Sequence, residues 1–227
     1  MPILLYDFCE GAGTSVESIT DVKFELLFEN GTLGDGFDWV DDGLLLDGHI
    51  TEAHTALRSY EHAFERFEAC RDGGRLTLEV WATPRIDSQG GPTGIAVLGP
   101  PPGVADSPNF GLFMNPEWAE PGYVAALRTS TGNGNMSWHG TPYLQPNHLV
   151  LVHDLGLDSL YLDGEVIATE PHDGDLSSWN PNHDLVLGNR SDNDVRNWQG
   201  TYHLVAVYCE ALTSAQVMTN FAAGHRP

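Results

Sequence analysis

Along most of the chain, apolar and polar residues alternate over short stretches separated by Gly, Pro, Asn and Asp. Residues 75–83 show it best: Leu76, Leu78, Val80 and Ala82 fall on one face, and Thr77, Glu79, Trp81 and Thr83 on the other. That is the period of a strand with one buried face, and Pro84 ends it. Shorter runs of the same kind occupy 3–8, 22–28, 44–46, 95–98, 110–114, 123–128, 148–154 and 185–187. Residues 159–162 and 165–168 flank Asp163-Gly164, a strong hairpin turn. Roughly a dozen or more short strands at a spacing of ~8–12 residues predict a sandwich of two antiparallel sheets.

Two segments depart from this period. In 51–69, Ala53, Leu57, Tyr60, Phe64 and Phe67 have helical spacing with no Gly or Pro, so a helical turn or two is expected within 52–69, with Thr51 as a cap. Near the C-terminus, 202–208 (YHLVAVY) is β-branched and aromatic, and reads as a buried strand. Thr213 then caps a short helix, with Gln216 as reciprocal partner and Val217, Phe221 and Ala222 as its apolar face. Gly224 closes it. Three stretches read as loops: 29–43, which crowds Asp35, Asp38, Asp41 and Asp42; the Pro-rich 99–109; and the Gly/Asn turn 129–135.

The order Trp-x-Gly, strand, capped short helix, Asn-Phe, Gly over 197–224 resembles the closing segment of LamG-like jelly-roll domains of the concanavalin A-like lectin/glucanase superfamily. LLYDFCEGAG (4–13), LLLDG (44–48), LTLEVWATP (76–84), HLVLVHDLGLDSLYLDGEVIA (148–168) and LVLGNR (185–190) extend the resemblance over nearly the whole chain. It implies an all-β, two-sheet antiparallel jelly-roll sandwich with one or two short helices, forming one domain over 1–227, with the last strand paired to the first. It also implies a non-catalytic recognition module, extracellular or at the cell surface, that binds a glycan or an extracellular protein at its loop rim. Alternatives on the same fold are a polysaccharide-active hydrolase or lyase and a purely structural or adhesive domain. The chain departs from the family where an acid often follows LxLGN; Arg190 stands there.

Composition narrows the partners. Hydrophobic residues make up 41% of the chain, ample for a core, and 32 acidic residues against 10 basic give a net charge of −22. Such a surface repels phosphate backbones and anionic membranes, so neither nucleic acid nor a membrane is an expected partner. No apolar run is long enough to span a bilayer, and residues 1–5 do not read as a secretory leader. The expected state is a monomer or part of a larger multidomain protein. The acids form a solvated surface, or some of them converge on calcium. Cys9 and Cys209 lie on the first and last expected strands and would be neighbours; whether they pair, or whether all three cysteines, with Cys70, are small core residues, stays open.

The candidate chemistry is thin. Glycosidases of this fold place their carboxylates as Glu-x-Asp-x-(x)-Glu, and no such motif occurs; Asp158 and Glu165 are split by a turn. A lyase needs a base and a uronate-neutralising cation, for which Tyr202, His203 and Arg128 are the available types. Tyr202 and His203 alternate on a strand, so only one can face a given groove. The ten histidines show no zinc-ligand spacing and read as scattered. Calcium candidates are Asp192, Asn193 and Asp194 in the loop before the closing strand, and Asp38 and Asp41 in the earlier acidic loop. For a sugar, Trp118, Trp138 and Trp179 are expected in loops as stacking platforms, with Asn133, Asn135 and His139 as the polar edge.

Overall fold

The computed structural model describes residues 1–21, 23–47, 55–60, 64–87, 89, 91–114, 121–189 and 197–225. In chain order the elements are β1 (Leu4–Tyr6), β2 (Ser15–Glu17), β3 (Glu25–Glu29), β4 (Thr32–Leu33), β5 (Gly36–Val40), β6 (Gly43–Leu46), β7 (Ala56–Arg58), α1 (Phe64–Gly73), β8 (Arg75–Pro84), β9 (Thr93–Gly99), β10 (Phe110–Met114), β11 (Gly122–Thr129), β12 (Gly132–His139), β13 (Asn147–Asp154), β14 (Leu157–Leu162), β15 (Glu165–Pro171), β16 (Asp184–Leu187), β17 (Gly200–Tyr208) and α2 (Ser214–Ala223). One sheet runs β15-β14-β13-β8-β17-β6-β5-β4, with β1 also paired to β17. The other runs β12-β11-β10-β9-β16-β7-β3-β2. Pairing is antiparallel throughout except between β4 and β5. This is the expected jelly-roll sandwich.

The alternation on β8 works as its sequence requires. Leu76, Leu78, Val80 and Ala82 point into a core shared with Val205 and Val207 of β17 and with Leu98, Phe110 and Leu112 of the facing sheet. The closing strand pairs with the opening one, Leu4 opposite Val207 and Tyr6 opposite Val205. α2 carries the expected capping box between Thr213 and Gln216. It lies on the outer face of the first sheet, where Val217 packs with Val150, Val152, Tyr161 and Leu212. Phe221 stacks on Trp81 at 5.7 Å and on His148 at 5.9 Å. Beneath the helix the buried Glu79 carboxylate has Tyr208 Oη, His148 Nε2 and Asn220 Nδ2 within 2.8–2.9 Å. A charge removed from water needs partners of this number.

Three expectations are corrected, and the question left open for the cysteines is answered. The expected helical turn or two within 52–69 is present from Phe64, in a helix that continues to Gly73; the helical spacing misleads at Leu57, which lies on β7 between β3 and β16. Thr51 lies outside the described residues. The acidic stretch 29–43 contains β4 and β5, because Phe37 stacks on Phe28 at 4.1 Å and draws the segment onto the sheet. The turn at 129–135 is shorter than expected: β12 starts at Gly132 and pairs with β11 along its length. Finally, Cys209 pairs with Cys70 of α1, not with Cys9. Cys209 follows β17 directly, so the bond ties α1 to the end of the closing strand.

Candidate functional site

The site arises where β17 changes neighbours. Along one edge, β17 pairs with β6 at Gly200–Tyr202 and with β1 at Val205–Val207. Between the two contacts lies a bulge. Tyr202 is opposite Ala82, Leu204 opposite Trp81, and His203 is the extra residue. A bulge re-aims a side chain, and here Tyr202 enters the core while His203 turns outward to Thr83, whose Oγ1 lies 2.8 Å from His203 Nε2. The β5–β6 turn closes one side of the gap. It approaches β17 so closely that a Cβ on Gly43, whose φ is +147°, would collide with the Tyr202 carbonyl.

The gap opens into a pocket of about 500 Å³ lined by Asp7, Phe8, Cys9, Gly11, Trp39, Val40, Asp41, Asp42, Gly43, His203 and His225. The half-buried Trp39 gives it an aromatic side, Phe8 being buried and stacked on Tyr202, and Trp39 Nε1 donates to the Gly13 carbonyl at 3.1 Å. The Asp42 carboxylate is approached by His225 Nε2 at 3.1 and 3.2 Å and by His203 Nδ1 at 3.5 Å. The rings of His203 and His225 are 4.6 Å apart. Among the described residues, this is the one set of three His, Cys, Asp or Glu whose ligand atoms all lie within 4.8 Å of one another. The three come from a turn, a bulge and the segment after α2, so no sequence spacing links them. The reading of the histidines as scattered is corrected at this point.

The residues expected to bind sugar or metal are placed differently. Trp179 is a core residue, 3% exposed, and donates Nε1 to the Arg128 carbonyl at 2.9 Å; it offers no stacking face. Trp138 is on β12, not in a loop. One face of its ring stacks on Tyr123 at 5.9 Å, and the Gly140 backbone lies against the ring as well. Asn133, Asn135 and His139 are exposed on the opposite face of the same strand, and Asn133 Nδ2 donates to Ser107 Oγ at 3.1 Å. They form a polar row without an aromatic platform. Asp38 is exposed on β5, and Asp41 lines the pocket. Trp118, Asp192, Asn193 and Asp194 lie outside the described residues.

The groups considered for lyase chemistry do not converge. Tyr202 is buried with its hydroxyl bonded to the Ile95 carbonyl, His203 faces the pocket, and Arg128 belongs to another cluster. There its guanidinium pairs with Asp106, which also accepts from Asn180 Nδ2 at 2.8 Å and meets His183 Nε2 at 3.1 Å. Arg128 holds the Asp106 carboxyl well below its usual range. Burial pushes the His183 imidazole down. Asp158 is equally committed, with both oxygens taken by His153 and His172.

The Laminin_G_3 family model, described as concanavalin A-like lectin/glucanases superfamily, matches residues 63–218. The chain belongs to this superfamily. The match runs from the start of α1 to the middle of α2, so it takes in His203 but neither Asp42 nor His225. No curated protein matches the chain. Solved structures of similar fold include a Trypanosoma rangeli sialidase in complex with sialic acid (TM-score 0.68, 16% identity, 96% of this chain and 32% of that one). A botulinum neurotoxin serotype D/C binding domain is similar at TM-score 0.68 with 10% identity, over 98% of this chain and 52% of that one. The CBM40 of a Ruminococcus gnavus IT-sialidase, bound to α2,3-sialyllactose, is similar at TM-score 0.55 with 17% identity, over 64% of this chain and 81% of that one. The lectin/glucanase-like chain spans about a third of the sialidase's length, and at these identities the likeness is one of fold. No helix among the described residues is long and apolar enough to cross a membrane.

Proposed function

We propose that this chain is a non-catalytic, extracellular or cell-surface module that recognises a glycan in the pocket beside the β17 bulge. The observation that carries the reading is the lining of that pocket. Trp39 supplies apolar ring surface, while Asp7, Asp41, Asp42, His203 and His225 supply acceptors and donors. An aromatic side with a few convergent polar groups is how proteins hold a pyranose, whose faces are apolar and whose rim is hydroxylated. The superfamily match and the glycan-bound structures of similar fold support the class of ligand. The sign of the ligand follows from charge. Three carboxylates line the pocket and the whole chain carries −22, so anionic sugars such as sialic acid are repelled and neutral glycans are favoured. The Cys70–Cys209 disulfide supports an oxidising compartment.

The test is a glycan-array screen followed by titration calorimetry with Trp39→Ala and Asp41→Ala. Neutral glycans bind the wild type, and each variant binds at least ~10-fold more weakly, the loss of about 1.4 kcal/mol. Unchanged affinity in both variants would move the site elsewhere and overturn the assignment. Release of new reducing ends during incubation would replace recognition by hydrolysis. Calcium is the finer part of the proposal, through exposed oxygen donors such as Asp38 and Asp41. Affinity then falls when EGTA with excess magnesium removes calcium, and unchanged affinity removes calcium from the reading.

A further inference from the structure

We infer that Asp42, His203 and His225 form a binding site for a divalent transition-metal ion of the zinc class. The inference does not depend on the glycan reading. Two donors on one ion, each about 2.0–2.1 Å from it at a tetrahedral angle, lie about 3.3–3.4 Å apart. The separations from the Asp42 carboxylate, 3.1 Å to His225 Nε2 and 3.5 Å to His203 Nδ1, bracket that spacing. All ligand atoms fall within 4.8 Å of one another, so one centre can serve the three.

The donor set selects the metal. Two imidazole nitrogens and one carboxylate suit zinc and its first-row neighbours, whereas calcium and magnesium prefer oxygen alone. Three protein ligands leave a fourth position, and the side chains of Asp42 and His225 are exposed enough to reach an ion from solvent. The surroundings also orient a ligand. His203 Nδ1 faces the Asp42 carbonyl at 2.5 Å, and Nε2 faces Thr83 Oγ1 at 2.8 Å. In the metal-free site Nδ1–H donates to that carbonyl; metal binding replaces this bond, moving the ring proton to Nε2 for donation to Thr83 Oγ1 and turning the Nδ1 lone pair to the ion. Metal-ligating histidines commonly have such a second hydrogen bond.

The experiment uses the untagged full chain, stripped with chelator and dialysed. Zinc is titrated by calorimetry, and cobalt(II) is added to read its visible absorption. Expected results are one zinc bound per chain, a cobalt spectrum of tetrahedral type, and a raised unfolding midpoint with zinc, because the ion binds only the assembled site. His225→Gln and Asp42→Asn each weaken zinc binding by at least ~10-fold and abolish the cobalt band, while Thr83→Val weakens it by about 10-fold through His203. His139→Gln, on exposed β12, leaves both readouts unchanged. His225 lies beyond the end of α2, so its variant keeps the metal-free unfolding midpoint and reports on ligation alone. Absence of zinc binding would overturn the site. So would zinc binding that survives His225→Gln and Asp42→Asn, or stabilisation by calcium but not by zinc.

Discussion

The first sheet carries two His–Asp–His groups of identical composition, and they are built for different ends. At Asp158, His153 Nδ1 lies 2.6 Å from one carboxylate oxygen and His172 Nδ1 2.7 Å from the other. His172 Nε2 faces Thr129 Oγ1 at 3.2 Å, which links the edge of this sheet to β11 of the other. The Asp158 side chain is only 4% exposed. At Asp42 the carboxylate is 38% exposed, both histidines stand at 3.1 Å or more, and the group faces a pocket. Hydrogen bonds of 2.6–2.7 Å spend each oxygen on one ring and tie the strand β14 to its surroundings. Longer separations around an open carboxylate leave room for something else. Residue types therefore do not distinguish a structural knot from a ligand site; exposure and spacing do.

The largest expected effect tests the buried group. Asp158→Ala leaves two imidazoles without their acceptor and lowers stability by about 3–5 kcal/mol. Asp42→Ala, by contrast, costs under ~1 kcal/mol, as exposed ion pairs do. Urea unfolding of both variants gives the comparison directly, and equal losses would abolish the distinction. The Cys70→Ser/Cys209→Ser double variant loses about 2–5 kcal/mol, since the bond closes a loop of 139 residues. Its pocket, remote from α1 in the sequence, keeps its ligand affinity at temperatures where the variant is folded.

A smaller loss is expected at the wall of the pocket. Gly43→Ala puts a Cβ against the Tyr202 carbonyl at a φ of +147° and costs more than ~1 kcal/mol. It also weakens whatever the pocket binds, because the turn that carries Asp41 and Asp42 is displaced. Acid sharpens the contrast from another side. His183 is held neutral by burial, so its folded pKa lies below its unfolded value. Its contribution is present above about pH 6.5 and is lost as pH falls through the depressed value. Asp106, depressed by Arg128, contributes above about pH 4 and is lost further down. The unfolding midpoint should thus fall in the acid range, and His183→Gln should flatten the upper part of that fall. The smallest effect is at the polar row on β12: Asn135→Ala changes stability by less than ~0.5 kcal/mol and leaves the affinity of the pocket unchanged.

How far the site could be read in advance depends on the range of the interactions that make it. Wherever local period and capping agree with the fold, the pattern sufficed: the alternation of β8, the Asp163-Gly164 hairpin, the β1–β17 pairing by family resemblance, and the capping box of α2. It failed where a distant partner overrode local preference. Leu57 had helical spacing but fills a place between β3 and β16, and Phe37 pulled an acidic, Gly-rich stretch onto a sheet. The loop tryptophans illustrate the same limit. Trp179 sits among polar, turn-forming neighbours in sequence, yet the sandwich closes over it.

The sequence by itself determined the class of fold, the closing helix and the acidic surface, because period, caps and charge are properties of neighbouring residues. Only the tertiary structure decided which cysteines join and which histidines meet. Asp42 and His203 are 161 positions apart, and Asp42 and His225 183 apart. They converge because β17 changes partners at its bulge and the segment after α2 returns to the gap, and no spacing in the chain encodes that.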